Sequence, residues 1–250
     1  ADLGKWEKAV YAAYKQEKER KVRIAVVGKY VEMHDAYVSL YEALKYAGYD
    51  LCVDCETVGV SSDKINDRNA AQKLAGYDGI IIPAGFGERG FAGKIAAARY
   101  ARTHDVPCLM IGLGAHAGAV EFARDVLGIH TADSREFDKK TSAPVVCEGS
   151  TVFKKGAHLT KAEEGSALCE AYGSREIYMR HRHRYEINPD YAGAFMKAGL
   201  AVTGVSDEGF IDAYELPANK FWMGVAFQPE FNAKVGDPDK LIRFFLGKCL

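Results

Sequence analysis

The chain has 250 residues, of which 27% are charged and 48% hydrophobic, and its formal net charge is -1. That length suits one large α/β domain with a well-buried core, and the near-neutral charge gives no long-range field to draw nucleic acid or an anionic membrane. No apolar run approaches the roughly 20 residues that span a bilayer, and Ala1-Asp2-Leu3-Gly4-Lys5-Trp6 lacks a signal-peptide pattern, so a soluble, cytoplasmic protein is expected.

Residues 1–20 read as a charged lead-in helix or linker, with Trp6, Val10, Tyr11 and Tyr14 on one side, and residues 21–250 as the domain. The β-branched run 22–27 ends at Gly28, which marks a parallel strand buried on both faces. Asp35 is placed as the cap of a helix with Leu40, Ala43, Leu44 and Ala47 on its apolar side and Gly48 as its stop. The same alternation then repeats. A strand over 51–58 leads to a helix over 70–75, and a buried strand over 79–82 opens into Pro83-Ala84-Gly85-Phe86-Gly87. A helix over 93–103 precedes a strand that runs to Gly112, and a helix over 115–126 follows with Ala119, Val120, Ala123, Val126 and Leu127 inward. This order predicts an α/β fold with a doubly wound, mostly parallel sheet, whose right-handed crossovers gather the functional loops at one edge.

From about Ser150 the texture changes to shorter strand-like pieces at 151–153, 176–184, 200–206, 210–216 and 222–227, which predict an antiparallel extension. Asp237 and Pro238 are placed at the start of a last helix whose Leu241, Phe244 and Phe245 side closes the core. The six cysteines are scattered in mostly apolar surroundings. Cys52 and Cys55 have CxxC spacing, but in a strand they would face opposite sides, so neither a metal nor a cofactor is expected. There is no GxxxxGK[ST] phosphate loop: Gly93-Lys94 is followed by Ile95, where a metal-binding hydroxyl would be needed.

The stretch from Pro107 to His116 has the outline of a nucleophile elbow, a buried strand turning sharply at small residues into a helix. Such a turn presents an attacking side chain beside backbone N–H groups that can hold an oxyanion. Here its tip is Gly112, which has no side chain.

Several long pieces resemble one family in the same order. They are Val26 to Val31, Asp35-Ala36-Tyr37-Val38-Ser39, Pro83 to Gly87, Val120 to Arg124, Arg180-His181-Arg182-His183-Arg184-Tyr185-Glu186 and Phe227-Gln228-Pro229-Glu230-Phe231. Together they resemble the class I, triad-type glutamine amidotransferase domain found in CTP synthases, over nearly the whole chain. The resemblance implies a flavodoxin-like fold and a glutaminase site that passes ammonia to a synthase domain. In such a site a Cys attacks the amide, a His moves protons and a Glu orients the His. On this chain the Cys position is Gly112, the His position is Gln228, and Glu230 is retained. The resemblance also places Gly85, Phe86 and Leu113 on the oxyanion side, Glu121 at a ligand's α-amino group, and Arg180 or Arg182 at its α-carboxylate.

The chain departs from the family at Met110, at Gly114-Ala115-His116 and at Ala84-Gly85 of the oxyanion loop, and Ser150-Thr151-Val152-Phe153 replaces a glutamine-side motif. Three functional readings follow. In the first, the domain binds an amino-acid-like ligand, glutamine or an analogue, or a partner protein, and hydrolyses nothing. In the second, His116 and Glu230 serve altered amide or γ-glutamyl chemistry in a pocket enlarged by loss of the thiol. In the third, the chain is the decayed glutaminase part of a longer synthase that uses free ammonia.

Overall fold

The structure is a computed structural model that describes residues 3–14, 20–150 and 153–250. In chain order the elements are α1 (Gly4–Tyr14), β1 (Arg20–Gly28), α2 (Val38–Leu51), β2 (Val53–Ser61), α3 (Ala70–Leu74), β3 (Gly79–Ile82), α4 (Phe91–Thr103), β4 (Cys108–Ile111) and α5 (Leu113–Asp125). There follow β5 (Ala132–Ser134), β6 (Ala143–Glu148), β7 (Lys154–Ala162), α6 (Ala167–Tyr172), β8 (Glu176–His183), β9 (Tyr185–Ile187), α7 (Ala192–Lys197), β10 (Ala201–Ser206), β11 (Ile211–Glu215), β12 (Trp222–Val225) and α8 (Lys240–Lys248).

One sheet runs in the order β2-β1-β3-β4-β12-β11-β10-β7-β8. Its first five strands are parallel, and every pairing from β12 to β8 is antiparallel. Strands β5, β6 and β9 form a side arm that joins β11 through Ile187. Successive residues of the inner strands serve two cores, as a two-residue side-chain period requires. Ile24, Val26, Leu109 and Ile111 pack with α2 and α8, whereas Ala25, Val27, Cys108 and Met110 pack with α4 and α5. Both faces of the parallel half are therefore covered, which is the expected doubly wound arrangement.

Some boundaries differ from the expectation. Asp35 lies in a short 3-10 turn, and α2 starts at Val38 with no side-chain cap. Gly48 lies inside α2, where a Cβ would come 3.1 Å from the Val53 carbonyl, so it marks the close passage of β2 and not a stop. The helix ends at Cys52 in the left-handed region, φ 58°, so Cys52 precedes the strand that holds Cys55. Val126 is exposed instead of inward. The last helix is capped by Asp239, whose Oδ1 accepts from the Leu241 and Ile242 N–H groups, and not by Asp237. The expected piece at 151–153 falls partly outside the described residues, and the one at 176–184 breaks at Arg184 into β8 and β9.

Candidate ligand cleft

The carboxyl ends of β1, β3, β4 and β12 meet at one sheet edge, and the expected elbow stands there. Gly112 links β4 to α5 with φ 53° and ψ -112°, a conformation that resists side chains, and the Gly112 N–H donates to the Val225 carbonyl. The turn is thus held by backbone alone. A Cβ on Gly112 would lie 3.1 Å from the Ala84 Cβ and 3.1 Å from Gln228 Nε2. The first atom of a side chain here would be tight against these two neighbours, which would have to give by a few tenths of an ångström.

The loop over 83–87 forms the opposite wall, and two buried lysines fix its direction. Lys29 Nζ donates to the Phe86 carbonyl and, at 2.7 Å, to that of Gly87, while Lys94 Nζ donates to the Pro83 carbonyl. Because N–H and C=O oppose each other across a trans peptide, the Gly87 N–H turns outward, where it meets Glu136 Oε1 at 2.9 Å. Burial lowers the Lys94 pKa to about 7, with Lys29 adding to the drop. Burial also lowers Lys29, with Glu136 opposing.

A small cleft of about 10 Å³ is lined by Gly85, Phe86, Leu113, His116, Glu136, Arg182 and Gln228, among others. A neighbouring pocket of about 180 Å³ shares Ala84, Gly85, Phe86, Arg182 and Gln228 and reaches Glu230. The larger cavity, about 530 Å³ between α1 and α2, is remote from these side chains. Phe86 and Arg182 roof the cleft, with the guanidinium 5.6 Å from the ring centroid.

His116 is 2% exposed, and neither ring nitrogen has a hydrogen bond of good geometry. Burial, with His183 adding and the Tyr185 backbone opposing, lowers its pKa to about 3, so it is a neutral imidazole. The neighbouring His183 accepts at Nε2 from His181 Nδ1 (2.9 Å) and donates through Nδ1 to the Tyr185 carbonyl (3.0 Å), which satisfies the His183 ring as a neutral tautomer and leaves His181 Nε2 buried without a partner.

The structure gathers Gly85, Phe86, Leu113, His116, Arg182, Gln228 and Gly112, with Glu230 behind them, and it separates two expected residues. Glu121 is nine residues beyond Gly112 on α5, about 13 Å along the axis, fully buried and paired with Arg102 of α4 at 2.6 Å. It faces a helix interface and cannot meet a ligand in the cleft. Arg180 lines neither pocket: it lies two residues before Arg182 on β8, about 7 Å away, and contributes its carbonyl to the Gln228 N–H. The carboxylate that does line the cleft is Glu136, raised in pKa by burial and opposed by the Gly87 N–H and Lys29. Glu136 follows β5, a three-residue strand without an alternation long enough to read, so nothing in its sequence put it at the sheet edge.

Glu230 keeps its place in a tight turn after Gln228, and its Oε2 is buried without a partner. Burial pushes its pKa from 4.5 up to about 8, with Asp239 adding to the rise. Between those values the folded state binds more protons than the unfolded one, so Glu230 makes stability fall as pH rises through that window. Glu230→Gln, which mimics the neutral acid, is expected to match the parent within about 1 kcal/mol at pH 5 and to exceed it by several kcal/mol at pH 9, about 4 for the full shift. Urea unfolding at the two pH values measures this.

This constellation on this sheet defines a class. The chain matches the class-I glutamine amidotransferase family over residues 32–248 and belongs to it. Within that family it is similar to CTP synthases: it is 41% identical over 240 residues to that of Shouchella clausii, covering 92% of this chain and 45% of the relative. It is 43% identical over 236 residues to that of Methanopyrus kandleri, covering 89% and 44%. The glutaminase domain of Trypanosoma brucei CTP synthase, solved with bound acivicin, superposes with a TM-score of 0.86 at 33% identity, covering 91% of this chain and 93% of that one. The chain spans about half the length of the curated relatives it matches. Among the described residues no helix is long and apolar enough to cross a membrane.

Proposed function

We propose that this domain is a glutaminase-type cleft that binds an amino-acid-like ligand without cleaving an amide. The observation that supports this most is the packing at Gly112, where Ala84 and Gln228 stand 3.1 Å from the point at which a nucleophile's Cβ would begin. Acyl transfer needs a group to attack and a group to carry the proton to the leaving amine. Glycine cannot do the first, and the carboxamide of Gln228 cannot do the second near neutral pH. Glu136 offers a carboxylate for an α-ammonium group and Arg182 a guanidinium fork for an α-carboxylate, and both line one cleft.

Altered hydrolysis through His116 is less well supported, because burial holds that imidazole at about 3, far below the range of an effective base at pH 7. The match to half of each CTP synthase relative supports a place beside a synthase domain in the cytoplasm, as part of the same chain or as a partner, within pyrimidine nucleotide synthesis. The purified protein is expected to release no ammonia from L-glutamine above the uncatalysed background in a coupled dehydrogenase assay. Turnover within the ordinary enzyme range of about 1 to 10³ s⁻¹ refutes the reading.

A further inference from the structure

We propose that the far end of the ligand is anionic, so that the cleft selects L-glutamate, an α-amino acid with a terminal carboxylate, over the carboxamide L-glutamine. The inference rests on the reading that the cleft holds an amino acid, and it names the class.

The argument begins at the elbow tip. Helix α5 has 13 residues and starts there, so the N–H groups of its first turn, with Leu113 lining the cleft, have no acceptor within the helix. In a working thiol triad such donors wait for an oxyanion that exists only after the nucleophile has added. Nothing adds at Gly112, so an amide bound there stays neutral and the donors face only a weak acceptor. A ligand that brings its own negative charge meets them fully.

Two buried side chains point to the same occupant. Gln228 Nε2 lies 3.1 Å from the point where a Gly112 Cβ would stand, so its N–H groups are at the tip. His116, 2% exposed and with no hydrogen bond of good geometry at either ring nitrogen, lines the same cleft one turn along α5 beside the Tyr185 backbone, and its neutral ring has one N–H to donate. The wider charge agrees. Beyond Arg182, Arg184 lines the cleft, and Lys29 stands behind the loop over 83–87. Of the three acids that line the cleft and the neighbouring pocket, Glu136 accepts from the Gly87 N–H, Asp35 lines only the neighbouring pocket, and Glu230, pushed up to about 8, is mostly neutral at pH 7. The loss of a thiolate at position 112 also removes the charge that would repel a terminal carboxylate.

One atom argues the other way. Gln228 Oε1 is buried without a partner and would suit a carboxamide NH₂. A single neutral acceptor is set against several donors, and charge-assisted hydrogen bonds are roughly twice as strong as neutral ones, so the carboxylate is preferred. Entry requires the Phe86–Arg182 roof to swing aside, because the closed cleft holds only about 10 Å³; the Phe86 ring is 37% exposed and rests on Arg182, Arg184 and Phe153.

Calorimetric titration of the whole chain with L-glutamate and with L-glutamine at pH 7.5 tests the selection, with ammonia assayed in the same samples. Glutamate is expected to bind at least about 10-fold tighter. Gln228→Glu, which sets a carboxylate against the ligand's, is expected to remove that preference. Where that variant unfolds, the His116 ring signal of the parent replaces it: saturation with glutamate should raise the His116 pKa, and glutamine should not. Equal or tighter binding of glutamine overturns the inference and leaves the amino-acid reading standing. Binding of neither below about 10 mM overturns both, and ammonia release overturns the reading of a cleft without hydrolysis.

Discussion

Gly112→Cys alone is expected to leave L-glutamine intact, and so is the pair Gly112→Cys with Gln228→His, whereas adding Ala84→Gly should raise ammonia release at least about 10²-fold above the parent. The reason is geometric. A Cβ at position 112 meets the Ala84 methyl at 3.1 Å as well as Gln228, and the φ of 53° already strains any side chain there. With Ala84 in place, a thiol must push the loop over 83–87 away, and that loop is pinned from beneath by Lys29 and Lys94. A displacement of about 1 Å is enough to cost 10²-fold in rate. The Gln228→His change also returns a cation-capable partner to Glu230, which should then drop from about 8 toward the ordinary carboxylate range. The three positions form one packed unit, and residues that act as a unit respond non-additively. Single-turnover ammonia measurements on the three variants decide the point. A pair that matches the triple in rate shows that Ala84 is not part of the obstruction.

The parallel half of the fold was legible because its signals are local. Strands β1, β3 and β4 are short β-branched or apolar runs ending at turns, and their expected positions hold. The elbow was legible for the same reason: Gly112 follows a buried strand and precedes a helix of small residues. What failed was tertiary. Gly48 resembles a helix stop by composition and is a contact site for β2, which only the packing reveals. Arg180 and Arg182 share a face of β8, so sequence alone could not choose between them, and only Arg182 reaches the cleft. Strands β5, β6 and β9 are too short or too irregular to show a period, and Glu136 is missed with them.

Glu121 was misassigned for a reason that leads to the second large effect. The resemblance places it at an α-amino group, but the side chain is fully buried against Arg102, itself 17% exposed. The guanidinium holds both carboxylate oxygens, with Nε at 3.1 and 3.0 Å and Nη2 at 2.6 Å from Oε1. Even so, the Glu121 pKa is raised to about 7, because desolvation outweighs the attraction of Arg102. The pair is therefore costly to bury and more costly to break. Arg102→Met is expected to destabilise the fold by about 3–5 kcal/mol at pH 8, where the stranded Glu121 must either stay charged or take up a proton. At pH 5 the acid is already protonated in the folded state, so the loss should shrink. The sign follows from linkage: removing the cation raises the folded pKa further above its unfolded value, which deepens the fall in stability as pH rises. The double variant Arg102→Met with Glu121→Gln leaves no buried charge and should recover most of the loss at pH 8. A pH-independent loss in Arg102→Met, with no recovery in the double variant, would mean that Arg102 acts through its packing between α4 and α5 and not through its charge.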